Sequence, residues 1–297
     1  MTENRELFTQ HLIEALPYIR KFYAKTVVIK YGGAAMTHEA LKQEFCRDVV
    51  LLDYVGMRPI VVHGGGPQVT ALMKRLGKET EFIDGLRITD KETVDIAEMV
   101  LTGAVGKDIV ARINLEGGRA VGLSGKDGRL IQAKKKMHRN SEDPSLETDI
   151  GYVGDVAKVD PRILNTLETD GFIPVISTVG MGDDGHAYNI NADIAAGEIA
   201  RALKAERLVM LTDMQGVLKD KDDPASFVSS LSASEAQAMI NQGGAQGGMI
   251  PKLTACLTAL GGGVKKAHII DGRVPHSVLV ELFTDTGVGT QVFPDSA

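Results

Sequence analysis

The sequence predicts an α/β fold in which helices cover both faces of a largely parallel sheet. Three observations carry that expectation. Short β-branched runs alternate with longer segments of helical periodicity. Most of the short runs are continuously apolar rather than alternating, as strands buried on both faces are. At 297 residues, 43% of them hydrophobic, the chain can bury a large core, as one α/β unit or as two lobes.

The first expected element precedes the sheet. Leu7, Leu12, Ile13, Leu16, Ile19, Phe22 and Tyr23 fall near helical spacing and form an apolar stripe. Such a helix either packs back on its own domain or packs against another subunit. Strands are expected at 26–30, 59–63, 120–123, 172–179, 207–212 and 267–270. Helices are expected between them at 41–54, 68–76, 91–101, 192–204 and 252–260.

Residues 130–160 break this rhythm. Alternation at 130–133 and 152–159 around a polar middle predicts an antiparallel hairpin, inserted at the sheet edge. The basic run Lys134-Lys135-Lys136-Met137-His138-Arg139 falls within it and reads as a solvated tip. No repeat or low-complexity linker interrupts the chain. The Gly- and Asp-rich stretch 178–184 is the clearest break. After the N-terminal helix segment 1–25, it suggests one lobe over 26–178 and a second over 179–297.

Composition excludes several classes. The 39 acidic residues exceed the 33 Lys and Arg, giving a net charge of −6, which argues against nucleic acid or an anionic membrane as partner. No apolar run approaches the roughly 20 residues that span a bilayer. The first residues lack the order of a signal peptide. Cys46 and Cys256 lie far apart in helical patterns, outside any CxxC pair or metal-ligand cluster. Buried, reduced thiols, no metal site and a cytoplasmic location follow as expectations. Trp is absent and aromatics are 5%, too few for base-stacking platforms.

Two strand-to-loop junctions point to anion binding. Val27-Val28-Ile29-Lys30-Tyr31-Gly32-Gly33 ends one buried strand with a lysine and two glycines. Val61-Val62-His63-Gly64-Gly65-Gly66-Pro67 ends the next with three glycines before a helix. Ligands of open α/β sheets bind beyond the carboxyl ends of the strands. Glycines there let N–H groups approach an anion, and a following helix N-terminus adds a favourable dipole.

The common phosphate fingerprints do not explain these loops. Gly125-Lys126 is followed by Asp127, with Ala120 where a P-loop needs glycine. Gly180-Met181-Gly182-Asp183-Asp184-Gly185 matches GxGxxG but lacks a following helix, and its aspartates would repel a pyrophosphate, so it reads as a turn.

Other polar clusters sit at loop-to-helix junctions. Asn189-Ile190-Asn191-Ala192-Asp193 offers more polar groups than one N-cap requires. Leu211-Thr212-Asp213-Met214-Gln215-Gly216-Val217 follows a buried strand. Lys252 falls near the first turn of a helix, where the dipole disfavours a cation unless an anion is close. Gly85-Leu86-Arg87 supplies a guanidinium suited to a carboxylate.

In this order, Ile29-Lys30-Tyr31-Gly32-Gly33, His63-Gly64-Gly65-Gly66-Pro67, Gly85-Leu86-Arg87, Asn189-Ile190-Asn191-Ala192-Asp193, Thr212-Asp213 and Gly248-Met249-Ile250-Pro251-Lys252 resemble the motifs of the amino acid kinases. Within that family the likeness is greatest to the acetylglutamate kinases, from about residue 26 onward. The resemblance implies a three-layer αβα sandwich around a mainly parallel open sheet, with an N-terminal lobe for an acyl amino acid and a C-terminal lobe for ATP. It implies that Lys30 and Lys252 stabilise the transferring phosphoryl group and that Asp193 holds both lysines. Gly65, Gly66, Arg87 and Asn189 would bind N-acetyl-L-glutamate, Arg87 at its α-carboxylate. Gly32 and Gly33, with Asp213, Met214, Gln215, Gly216, Val217, Leu218, Gly244, Ala245 and Gln246, would form the ATP site, Mg²⁺ arriving on the nucleotide.

The chemistry agrees with those roles. A carboxylate is already a nucleophile at pH 7, so lysines, glycine N–H groups and Mg²⁺ need supply only alignment and charge neutralisation.

The first helix, with Tyr18, and residues 268–290 resemble the arginine-inhibited branch, whose members are hexamers interlaced as trimers of dimers. His268, Glu281 and Gly287 fall at positions associated with the arginine site there. A carboxylate at Glu281 suits a guanidinium, although the sequence alone reads it as an exposed helix residue. Three rivals remain. One is another amino acid kinase, for glutamate, aspartate or carbamate. A non-catalytic arginine-sensing module is disfavoured by Lys30, Asp193 and Lys252. A dinucleotide oxidoreductase is disfavoured by the failed GxGxxG match.

Overall fold

The computed structural model describes residues 2–83, 85–139, 147–220 and 222–295, and the side chains of these except 2–8, 34 and 139. The Leu7 end of the apolar stripe and the Arg139 end of the basic run therefore lie outside the described side chains. The chain opens with α1 (Thr2–Phe22), β1 (Thr26–Tyr31), a 3-10 turn (Gly33–Met36), α2 (Glu39–Tyr54), β2 (Arg58–His63) and α3 (Gly66–Arg75). The hairpin β3 (Phe82–Ile83) and β4 (Leu86–Arg87) precedes α4 (Lys91–Glu98), which continues through a π-helical segment (Met99–Val105) into α5 (Gly106–Leu115) and then β5 (Ala120–Ser124). Next come β6 (Ile131–Arg139), β7 (Glu147–Val159), α6 (Arg162–Thr169), β8 (Ile173–Ser177), β9 (Val179–Gly182), β10 (Ala187–Ile190) and α7 (Ala192–Leu203). The last part holds β11 (Arg207–Thr212), β12 (Val217–Leu218), β13 (Phe227–Val228), β14 (Ser230–Ser232), α8 (Ala233–Asn241), α9 (Met249–Gly261), β15 (Lys266–Asp271), α10 (Ser277–Phe283) and β16 (Thr290–Phe293).

Eight strands form one sheet in the order β14-β16-β15-β11-β1-β2-β8-β5, parallel except for the β15–β16 pair. β1 is central, paired with β11 on one side and β2 on the other. Its continuous apolar run follows from burial on both faces. Val27 and Ile29 join one core with residues of α2 and α5, while Val28 joins the other with residues of α7 and α9. Each of the three is 0% exposed, and burying a side chain of this size stabilises the fold by about 1.5–3 kcal/mol. The layers are those of an αβα sandwich.

Several elements differ from the sequence reading. The expected strand at 172–179 is two strands, β8 and β9, which join different sheets on either side of Thr178. The expected helix at 91–101 continues to Leu115, because its π-helical segment widens the turn without ending the hydrogen bonding. The hairpin of β6 and β7 forms as expected, but it is no insertion at the main sheet's edge. With β9 and β10 it closes a separate four-stranded barrel. Residues 178–184, the expected division, lie mostly in β9 and the turn into β10 within that barrel. The GxGxxG match is this hairpin turn. Lys135 and Lys136 in the basic run pair with Asp149 and Asp155 of the facing strand.

α1 forms as its periodicity predicts, and its burial is uneven. Phe22 is buried at 3%, whereas Leu12, Ile13 and Leu16 are 56, 64 and 50% exposed. The last turn therefore packs on the chain's own core while the middle of the helix offers an uncovered apolar face. Cys46 and Cys256 are buried free thiols. Among the described residues no helix is long and apolar enough to cross a membrane.

Candidate active site

The carboxyl ends of β1, β2 and β11 lie side by side because those strands are parallel neighbours. The sequence places Lys30, the triple glycine and Asp213 at or just beyond these ends. Lys30 is buried near the end of β1. A Cβ at Gly32 would lie 2.6 Å from Lys30 Nζ, so any side chain there would displace the ammonium. Gly33 has φ +69, and a Cβ there would overlap the Asp213 carboxylate beyond β11. Beyond β2, Gly65 is the N-cap of α3 and Pro67 sits in its first turn. A Cβ at Gly65 would come within 2.6 Å of Leu101 Cδ2, which explains the need for glycine at that contact.

On the opposite face, Asn191 caps α7, its side chain accepting from the N–H groups of Asp193 and Ile194. That cap fixes the first turn and with it Asp193. Asp193 Oδ2 accepts a 2.7 Å hydrogen bond from Lys252 Nζ on α9. Lys30 Nζ lies 2.9 Å from Asp193 Oδ1, an ion pair without hydrogen-bond alignment. Burial pushes the Asp193 carboxyl up, but the two ammonium groups outweigh it and hold the acid below the usual carboxylate range. One carboxylate against two ammoniums leaves an excess positive charge in a nearly dry setting. An anion between the lysines satisfies it. The cation expected to need an anion near the α9 N-terminus has one in Asp193.

Two cavities flank this triad. The first, ≈ 220 Å³, is lined by Gly64, Gly65, Gly66, Arg87 and Asn189 together with Val69, Leu86, Leu101 and Val153. All four sequence-predicted acyl-site residues meet there. Arg87 is buried on β4, donating to Thr70 Oγ1 at 2.7 Å and to the Gly66 carbonyl at 3.2 Å, with Phe82 beneath its guanidinium. Burial pushes its pKa down. Among the described residues its partners are neutral oxygens, a thioether and a ring, so a carboxylate ligand would match the charge. His63 ends β2 with its Nδ1–H on the Gly64 carbonyl at 2.9 Å. Burial lowers its pKa to about 4, so it is neutral rather than cationic behind the glycine loop.

The second cavity, ≈ 870 Å³, is lined by Thr212, Asp213, Met214, Leu218, Gly244, Ala245, Gln246 and Lys252. Gln215, Gly216 and Val217 do not line it. Gln215 points to solvent, while Gly216 and Val217 pack under the turn, the Val217 N–H donating to Thr290 Oγ1 at 2.8 Å. The sequence reading missed Lys219, Asp220, Asp222 and Gly243 on the same wall, and took Gly248 and Met249 only as part of the motif leading to Lys252. The paired glycines 243–244 and 247–248 were the available signal; nothing marked the acids.

A third cavity, ≈ 110 Å³, lies between α1 and α10 and brings Tyr18, His268, Glu281 and Gly287 together. Glu281 is not an exposed helix residue. It is 8% exposed, because α10 packs its side chain against β15. Its carboxylate accepts from His268 Nδ1 at 2.6 Å and from the N–H groups of Val288 and Gly289 at 2.7 and 3.2 Å. Burial pushes Glu281 up, and these donors hold it below its usual range. Burial pushes His268 down, and its Nε2 has no hydrogen-bond partner among the described residues. Gly287 has φ +60, and a Cβ there would crowd the Glu281 carboxylate. The rim carries Lys21, Arg207, Lys266 and Asp285, the last hydrogen-bonded to the Tyr18 phenol.

Comparison with known proteins places this geometry. Acetylglutamate kinase from Moorella thermoacetica is 56% identical over 284 residues, covering 95% of this chain and 96% of that protein. N-acetylglutamate synthase from Neisseria gonorrhoeae, solved with coenzyme A and N-acetyl-glutamate, superposes with a TM-score of 0.83 at 27% identity, covering 98% of this chain. The same synthase with coenzyme A and L-arginine gives 0.79 at 25% identity over 97%. The chain spans 64 and 66% of the synthase in these two structures, less than two thirds of its length. A family model described as the amino acid kinase family matches residues 25–271, the whole span from β1 to the end of β15. With that match and near-full-length identity to an acetylglutamate kinase, the chain belongs to the amino acid kinase family.

Proposed function

We propose that the protein transfers the γ-phosphoryl group of ATP to the side-chain carboxylate of N-acetyl-L-glutamate. The observation that carries this reading is the Lys30–Asp193–Lys252 triad between a small cavity holding a buried arginine and a large glycine-walled one. The acyl amino acid occupies the small cavity, its α-carboxylate on Arg87 and Asn189 and its side-chain carboxylate toward the triad. ATP occupies the large cavity, with its terminal phosphate between the lysines and near the Gly65 and Gly66 N–H groups.

The residues act by alignment and charge. The acceptor carboxylate attacks phosphorus, the bond to the β,γ-bridging oxygen breaks, and ADP leaves with that electron pair. Charge on the moving group is met by the two ammoniums, which Asp193 keeps aimed at one point. Mg²⁺ comes bound to the nucleotide, where it neutralises phosphate charge. The oxygen-rich wall of Asp213, Asp220 and Asp222 suits its hydration shell. The two lobes divide the work, residues 26–178 serving the acyl substrate and 179–297 the nucleotide, although Asn189 reaches the acyl cavity from the second segment. The location is cytoplasmic.

The third cavity is read as a site for L-arginine as inhibitor. Its buried acid and unpartnered His268 Nε2 suit a guanidinium, and the Lys21, Arg207 and Lys266 rim suits a carboxylate. The exposed face of α1 at Leu12, Ile13 and Leu16 pairs with its symmetry mate, building a hexamer from three dimers. An ADP-release assay with N-acetylglutamate, glutamate, aspartate and carbamate tests the substrate assignment. Preference for N-acetylglutamate is expected, and preference for any of the others overturns it.

A further inference from the structure

We propose that the Asp48–His276 hydrogen bond couples the α10 cavity to the phosphoryl-transfer site, with His276 as its positioning residue; this rests on the arginine reading of that cavity. The bond joins segments 228 residues apart in sequence, Asp48 on α2 and His276 at the N-cap of α10. His276 Nδ1 lies 2.6 Å from Asp48 Oδ1. The aspartate side chain is 2% exposed and the histidine 48%, so the bond reaches from the surface to a buried acid.

The surroundings make that acid depend on its partner. Burial raises the Asp48 carboxyl to about 6 even though the His276 bond opposes the rise. Glu44, one turn earlier on α2, adds repulsion, and its Oε2 is buried with no hydrogen-bond partner among the described residues. His276 itself has φ +56, a backbone region costly for a residue other than glycine. Such strain persists where surrounding contacts over-determine it. Here it sets the start of α10, whose Val280 N–H donates to the His276 carbonyl.

Both ends of the bond lead to a site. α10 carries Glu281, the acid of the third cavity, in its second turn. α2 follows the Gly33–Met36 turn that leaves Lys30. Gly272, in the loop before His276, packs on Ala35 of that turn so closely that an added Cβ would lie 3.1 Å from the alanine Cβ. A displacement of α10 when its cavity fills is passed through His276 to α2 and to the glycine turn beside Lys30.

The test uses the full-length protein, with L-arginine as probe, reading its binding by calorimetry and the residual activity at saturating arginine. His276→Ala removes the donor. His276→Asn keeps a donor near the Nδ1 position and tolerates the left-handed backbone. Asp48→Leu removes the bond without leaving a buried charge, so it carries the test if the alanine variant does not fold. Uninhibited activity within about twofold of wild type is expected for all folded variants. Arginine should bind His276→Ala within about threefold of wild type, while residual activity at saturation rises at least about fivefold, the low end of usual allosteric coupling. His276→Asn should behave as wild type. Full inhibition of His276→Ala or Asp48→Leu overturns the coupling, and so does loss of arginine binding itself, which would make the bond part of the cavity. A wild-type protein that neither binds nor responds to arginine removes the effector reading and the coupling together.

Discussion

Asp193 Oδ2 accepts a 2.7 Å hydrogen bond from Lys252 Nζ, tying the first turn of α7 to the first turn of α9. The bond holds a lysine at a helix N-terminus, where the dipole opposes it. It also aims that lysine at the side where Lys30 arrives from β1. Rigid elements supply all three residues, which is the arrangement phosphoryl transfer requires of a protein that does little covalent work.

If the lysines act on charge that develops in the transition state, as proposed, Lys30→Ala and Lys252→Ala should each lower kcat by roughly 10²-fold or more with a smaller change in KM. Steady-state kinetics with both substrates varied checks this. A variant with near-normal kcat assigns its lysine to ground-state binding.

Asp193→Asn should destabilise the fold in a pH-dependent way. The depressed Asp193 pKa contributes stability that is present above the ordinary carboxyl range near pH 4 and lost as pH falls through the folded value. The variant leaves two lysines facing each other, and breaking a buried pair costs about 3–5 kcal/mol. Urea unfolding should show a wide gap between wild type and variant at pH 7 that narrows below about pH 4. A gap independent of pH contradicts the ion-pair account.

Arg87→Lys should weaken N-acetylglutamate binding about tenfold or more while ATP binding stays nearly intact, since a point charge cannot replace a planar fork. Calorimetry with each substrate separates the two. Loss of ATP affinity would move Arg87 to the nucleotide side and reverse the cavity assignment.

Deleting residues 1–25 should give dimers in place of larger particles, active and without arginine inhibition. Light scattering paired with an arginine titration decides it. Unchanged size with undiminished inhibition removes α1 from both roles. Glu281→Ala should weaken inhibition without changing particle size.

Much of this site was legible because each part broke a local rule. Lys30 ends a buried strand, Lys252 sits where a helix disfavours it, and Asn189, Asn191 and Asp193 exceed what a cap needs. The structure divides that last surplus into a cavity wall, a cap and an ion-pair centre. What stayed hidden depended on packing between distant segments. β14 and β16 are three and four residues long, too short for a period to show, and form by pairing with each other while β16 also pairs with β15. Glu281 is charged and helical, and its burial follows from where α10 lands on β15. Gln215, Gly216 and Val217 read as lining because the motif is contiguous, yet the turn exposes one and buries two.

Acyl phosphate formation on N-acetyl-L-glutamate is measured most directly by trapping with hydroxylamine. The purified protein with Mg-ATP should yield the hydroxamate from N-acetylglutamate far faster than from free glutamate, because Val69, Leu101 and Val153 line the proposed acyl cavity with apolar surface. Equal or faster hydroxamate formation from free glutamate would contradict the assignment.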